Sequence, residues 1–296
     1  MDQIERLRVL IDVAERRSFS AAARARRMSA AAVSRAVAAL ERDLGVALLR
    51  RTTRHVALTP EGAAFVEESA HAIAMLDDAA RSARGVSADP RGVLVVSAPV
   101  VFGRLHVLPI VAQLLKTHPE LRIELMLTDR FIRLADEGVD VAVRIADLAD
   151  SSMLSVRVAE TRRVLVGSAT YLAARGTPQD IGALRKHDLV AFDAFTPNGE
   201  WRFGSGSGSL VRFEPRLLTN SIEAAIDAAV AGLGITRALG YQVRDHIVAG
   251  RLVEILAEHS PPPVPISLLF QANRQSSPNV RAFVEACKSG LRERIE

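Results

Sequence analysis

Ile4, Leu7, Leu10, Ile11 and Ala14 recur at helical spacing, which predicts a first helix over residues 2–16 with one buried face. Ser18 or Ser20 can cap a second helix, AAARARR, because a serine oxygen accepts the orphan N–H bonds of a first turn. Met28 and Ser29 then form a turn, with Ser29 capping a third helix. On that helix Val33, Val37, Leu40 and Leu44 share one face. Ala31, Arg35, Ala38 and Arg42 project from the other, with Ser34 on its flank, and Gly45 stops it. Short apolar runs at 46–49 and 55–58 can pair as a hairpin around RRTTR, with Arg50, Arg51 and Arg54 at its tip. Thr59 as cap and Pro60 at the first helical position begin a long helix reaching about Arg84. Val66, Ile73 and Ala80, with Ser69, Leu76 and Ala83, mark three weak heptads along it. Such a helix either joins two copies or lies on its own domain.

From Arg91 the period changes. VLVVSA, LRIELMLT, VDVAVRIA and RRVLVGS are nearly continuous apolar runs, with a helix over 106–116. They predict parallel strands covered by helices on both faces. DLVAF, a hairpin, RLLTN, a helix from Ser221, GITRAL, RLVEIL and PISLLFQ follow. Two α/β lobes fit this length.

Charge sharpens the contrast between the two parts. Residues 1–58 carry a net formal charge of +6, from twelve arginines and six acids, within a chain total of +4. A compact basic module on a near-neutral body suits a polyanion. A membrane-surface helix would need large apolar residues opposite the charges, where this segment has mainly alanine. No apolar run approaches the roughly 18 residues of a bilayer span. MDQIERLRVLIDVAERR carries acids and no unbroken apolar core, unlike a signal peptide. The single cysteine, Cys287, suits a reducing compartment. The chain is therefore expected in the cytoplasm, without membrane association.

Chemistry-bearing motifs are few. GSGSGS at 204–209 lacks the Gly-Lys-Ser/Thr of a phosphate loop and reads as a hairpin turn. The seven histidines show no metal-ligand spacing, and His187-Asp188 has no nucleophile partner. No catalytic residue, metal site or cofactor is expected. In open α/β sheets, ligands sit beyond the carboxyl ends of strands and near helix starts. Ser97-Ala98-Pro99-Val100, Arg144 and Asn220-Ser221, with Gly234 and Ile235 nearby, occupy such places. For Arg144 a structural ion pair is as good a reading as an anion contact.

Two helices joined by a short turn, the second with small residues and arginine outside, describe a helix-turn-helix, and the basic hairpin a wing. Ordinary three-helix packing is the competing reading. At this point the chain resembles the LysR-type transcriptional regulators. The resemblance runs through Ser18-Phe19-Ser20, Ala22-Ala23, Ser29, Ala32-Val33-Ser34-Arg35, Leu40-Glu41, Leu44-Gly45, Leu48, Arg51-Thr52-Thr53-Arg54 and Leu58-Thr59-Pro60-Glu61-Gly62, ungapped over 45 residues. It implies an α+β multidomain protein. A winged helix-turn-helix at 1–59 precedes a dimerising linker helix at 60–88. A two-lobed, periplasmic-binding-protein-like effector domain at 89–296 follows. The first lobe would take about 89–161 and 268–296, the second about 162–267, with crossovers near 160–163 and 267–269.

The resemblance further implies an operator-binding homodimer, with a tetramer open, and a small, often anionic effector. DNA contacts are expected from Arg27, Ser29, Ala30, Ala31, Ser34, Arg35, Arg51, Thr52, Thr53 and Arg54. Effector contacts are expected from Ser97, Ala98, Pro99, Val100, Arg144, Asn220, Ser221, Gly234 and Ile235. The family often has a polar residue at the position of Ala30 and Leu-Gly at Arg26-Arg27. Both departures shift the expected reading from bases toward phosphates, with Arg26 and Arg27 contributing charge. A solute-binding protein would share the two lobes but would have no use for residues 1–58. An enzyme would need an acid–base or nucleophile set.

Overall fold

The computed structural model describes residues 1–51, 56–83, 89–130, 132, 134, 136–146, 153–196, 199–204 and 210–292. They form two compact units, Met1–Gly92 and one made of Val93–Gln275 and Asn279–Glu296.

In the first unit, α1 (Gln3–Arg16), α2 (Phe19–Ala25) and α3 (Ala30–Leu44) precede β1 (Leu49–Arg51), β2 (Val56–Leu58) and α4 (Pro60–Ala83). The caps are local and simple. Asp2 accepts from the N–H of Glu5 at 2.7 Å, and Ser18 from that of Ala21 at 3.2 Å. Val9, Leu10 and Val13 of α1 close on Ala22, Ala23, Val33, Ala36, Val37 and Leu40, with Leu48 and Leu49 sealing one end. Leu44 departs from its predicted inward place: it is 42% exposed, because it is the last residue before Gly45 turns the chain at φ 72°. Phe65 and Val66 of α4 pack on this core, Ile73 is buried, and Asp77 pairs with Arg8. The heptad position Leu76, by contrast, is 51% exposed.

The second unit holds two five-stranded sheets. The first has the order β4–β3–β5–β14–β6, from β3 (Gly92–Ala98), β4 (Leu121–Leu127), β5 (Val141–Ile145), β6 (Leu154–Thr161) and β14 (Val264–Phe270). The second has the order β11–β8–β12–β7–β13, from β7 (Arg163–Gly167), β8 (Leu189–Phe192), β11 (Leu217–Thr219), β12 (Ile235–Leu239) and β13 (Val253–Ile255). Both are mixed, where parallel strands were predicted. β3 and β5 are parallel, as are β11 and β12 with β8, but β14 and β7 run antiparallel to their neighbours. The reason is the connection. β7 follows β6 through Arg162 alone and β14 follows β13 through a Pro-rich stretch, so each enters its sheet as a crossover strand from the other lobe and not by a helical return within one sheet. The return also comes before Val264, so 264–270 is a strand of the first lobe and the crossover is not at 267–269.

α5 (Val100–Phe102), a wide π turn over Gly103–Val107 and α6 (Leu108–Thr117) form one rod, starting six residues before the predicted helix. Against the expectation that no apolar run approaches a span's length, Val100–Thr117 of this rod is, among the described residues, the one stretch long and apolar enough to cross a membrane, with mean hydropathy 1.3. Its apolar face is occupied within the fold: Phe102, Val107, Ile110, Val111 and Leu114 pack with Val280, Phe283, Val284 and Cys287 of α10 (Pro278–Arg292) over the first sheet. A fully buried residue such as Phe283 contributes about 2 kcal/mol through its apolar area.

In the second lobe α8 (Ile222–Val230) and α9 (Gly240–Val248) cover one face of the sheet. α7 (Ala169–Arg175) and the hairpin of β9 (Glu200–Arg202) and β10 (Leu210–Arg212) cover the other around Trp201. The hairpin's GSGSGS connection lies, from 205 onward, outside the described residues.

Candidate functional site

The outer face of α3 is built by what holds its inner face. Ser29 caps it, accepting from the N–H of Ala32 at 3.1 Å. With Val33, Ala36, Val37 and Leu40 buried, Ala30, Ala31, Arg35 and Arg42 are left exposed, and Ser34 half-buried at the edge. Two alanines beside an arginine make a low, positive surface that lets backbone approach a partner closely. Arg35 has no ion-pair partner among the described residues.

Arg26 is not part of this surface. It pairs with Asp12, and its Nη1 donates to Glu5 at 2.8 Å, tying the turn to α1. The expectation that Arg26 offers charge at the turn is thus corrected: two acids of α1, 14 and 21 positions away, already hold it. Arg27 is exposed and adopts φ 54°, the left-handed region. A side chain there costs about 1–2 kcal/mol, while glycine gives back about 0.5–1 kcal/mol in unfolded-state entropy. Arg27→Gly is therefore expected to leave the thermal midpoint of the first unit unchanged or raise it slightly; a clear drop in calorimetry would contradict this.

The wing is anchored by backbone bonds. Glu41 accepts from the N–H groups of Leu48 and Leu49 at 3.0 and 3.1 Å. Thr59 donates its hydroxyl to the carbonyl of Ala47 at 2.7 Å and accepts from the N–H of Gly62 at 2.9 Å. β1 and β2 pair with Leu49 opposite Leu58 and Arg51 opposite Val56, so Arg50 and Arg51 lie in the strand and not at the tip. The predicted site residues Thr52, Thr53 and Arg54 lie outside the described residues.

The second unit has a cavity of about 880 Å³ between its lobes. The carboxyl ends of β3, β4, β5, β8 and β12 open onto it, which is where the sheet topology places ligands. Of the residues singled out from sequence, Pro99, Val100, Arg144 and Asn220 line it. The other predicted residues sit elsewhere. Ser97 and Ala98 are wholly buried within the first lobe. Ser221 caps α8, accepting from the N–H of Ala224 at 3.3 Å. Gly234 and Ile235 lie at the amino end of β12, the end away from the cavity, where a Cβ on Gly234 would come within 2.2 Å of the carbonyl oxygen of Asp188.

Residues not singled out from sequence complete the wall: Leu127, Asp129, Arg130, Phe192, Asp193, Tyr241 and Gln242. Asp129 accepts from the N–H of Val100 at 3.1 Å; burial pushes its carboxyl pKa up, the Val100 bond pulls it down, and Glu223 and Asp193 push it up again. Burial holds Arg144 below the usual guanidinium range, against the opposing field of Glu137. Tyr241 packs edge-on against Phe102 and His106, with centroids 5.4 and 5.3 Å away, and its ring meets the cores of both lobes. Arg104 of the π turn and Glu223 of α8 pair across the lobes at 2.8 Å. His187 and Asp188 have structural partners, Tyr171 at 3.3 Å and Arg216 at 2.9 Å. Among the described residues no group of three or more potential ligands could hold a metal ion.

Residues 4–63 match the model of the bacterial regulatory helix-turn-helix protein, lysR family, and residues 87–292 that of the LysR substrate binding domain. The chain is 31% identical to the HTH-type transcriptional regulator CrgA of Neisseria meningitidis serogroup B over 285 residues, covering 95% of this chain and 94% of that one. It is 30% identical to the uncharacterized HTH-type transcriptional regulator YhjC of Escherichia coli K12 over 307 residues, covering both chains fully. The structure of CrgA aligns with a TM-score of 0.62 and 29% identity over 97% of this chain and 98% of that one. Full-length AphB of Vibrio cholerae shares the fold at a TM-score of 0.59 and 24% identity, covering 97% and 98%.

Proposed function

The chain belongs to the LysR family of bacterial transcriptional regulators, DNA-binding proteins with a substrate-binding effector domain, and from that premise we propose how its parts divide the work. α3 enters the major groove with Ala30 and Ala31 close to the backbone and Arg35 on phosphate or base edges, while Arg27 and the wing arginines touch flanking phosphates. The carrying observation is the exposed Ala30-Ala31-Arg35 face of α3 within residues 1–58, whose formal charge is +6. A small molecule in the interlobe cavity shifts lobe closure, and through it the spacing of two reading heads. Chemistry is not part of the role, and the protein acts where the operator is, in the cytoplasm. Self-association is supported by large apolar side chains exposed on the effector unit outside the interlobe cavity: Leu105, Leu108 and Leu218 are each at least 40% exposed. Two such copies form the homodimer that places α3 on neighbouring half-sites.

The test is a mobility shift of the full chain on its own upstream DNA across a salt series. Arg35→Ala is expected to weaken binding to every sequence and to flatten the slope of log K against log salt by about one per lost phosphate contact. Arg26→Ala is expected to lower the thermal midpoint with the slope intact. Unchanged affinity in the first, or a flattened slope in the second, would reverse their roles.

A further inference from the structure

The interlobe cavity has one carboxylate on each side. Asp129 follows β4 in the first lobe, and its Oδ1 already receives the Val100 N–H at the start of the α5–α6 rod, where an anion would otherwise dock. Asp193 stands on the second lobe's wall after β8, and Glu223 nearby in the first turn of α8. Asp193 and Glu223 both act on Asp129 through their charge, so like charges face each other across the lobes. Of the nearby cations, Arg104 pairs with Glu223 and Arg130 with Glu137, while Arg144 lines the cavity from β5 and donates its Nη1 to the carbonyl of Val143. Among the described residues no cationic side chain pairs with Asp129 or Asp193. Between the carboxylates the wall is Leu127, Phe192 and Tyr241, which suits an apolar body.

We propose that this cavity takes an organic cation, a primary amine or guanidine with an apolar body, whose charged group sits between Asp129 and Asp193. The proposal rests on reading the cavity as the effector site, and it departs from the anionic ligand that the family resemblance suggests. The cation replaces repulsion between the lobes with attraction to both, which favours the closed arrangement. A metal ion does not fit, since the described residues offer no cluster of three ligands.

Thermal unfolding of the full chain with benzylamine, agmatine and, as the charge-reversed control, benzoate tests this. A saturable rise of the thermal midpoint with an amine and none with benzoate is expected. Asp129→Asn and Asp193→Asn should each weaken the amine about tenfold or more, the scale of losing one charge-assisted contact. Amide chemical-shift mapping locates each probe. Benzoate bound in the cavity, with the amines inert, overturns the cation and leaves the effector reading standing. An amine bound away from the cavity, or insensitive to both asparagine variants, overturns the proposal, as does the absence of any saturable shift with either amine.

Discussion

Gly62→Ala is expected to destabilise the first unit by about 3 kcal/mol or more, the upper range for forcing atoms into a packed site, and to abolish operator binding. A Cβ at this position would lie 2.0 Å from the carbonyl oxygen of Leu48 and 2.8 Å from its carbonyl carbon. Neither neighbour is a flexible side-chain end. The first turn of α4 must move away or the strand must yield. Either movement breaks the Thr59 bonds to Ala47 and Gly62 and disturbs Leu48, whose N–H also binds Glu41 of α3. One methyl group thus unseats the wing and the end of the reading helix together. Calorimetry of the full chain should show the early transition lost or lowered, while ligand binding at the interlobe cavity survives. Wild-type melting with wild-type DNA affinity would contradict this account.

Tyr241→Ala has the second largest expected effect, about 3 kcal/mol on the effector unit, from the lower end of the large-to-small aromatic range because the ring is only half-buried. Its edge-on packing with Phe102 and His106 adds to the loss of area. Tyr241 also lines two cavities, the interlobe one and another of about 700 Å³ beside Arg162 and Glu254 at the lobe crossing. Removing the ring takes a wall from both and a contact from both lobe cores. Ligand affinity should therefore fall with stability, whereas Tyr241→Phe, which keeps the ring, should retain most of both. Titration calorimetry beside thermal unfolding separates the two variants; equal behaviour would assign the role to the hydroxyl.

What could be read from the chain was what is settled locally. Ser18, Ser29 and Thr59 cap their helices through bonds spanning three residues, and such spacing is visible in a string of letters. Leu44 misled because periodicity says which face a residue shares but not that the helix ends there. β6 escaped because its side chains alternate between half-buried and exposed, unlike the continuous apolar runs of its neighbours. The π turn at Gly103–Val107 leaves no mark in spacing, and there the rod was predicted to start late. Arg26 and Asp129 show the same limit at the sites. Arg26 looked like free charge until the fold brought Asp12 and Glu5 to it, and nothing in the sequence marked Asp129, which the sheet places against Val100, 29 residues away. Capping is written in neighbours, but pairing depends on topology.

Cys287 lies wholly buried on α10, among Phe283, Val284 and Leu291, and burial pushes its thiol up to about 12. A thiol so placed is silent toward alkylating reagents at neutral pH, because the reactive thiolate is scarce and the path is closed. As the chain's single cysteine, it makes the unaltered protein its own clock. Each labelling event records one opening of the first lobe around α10, with no cysteine to remove and no dye to add.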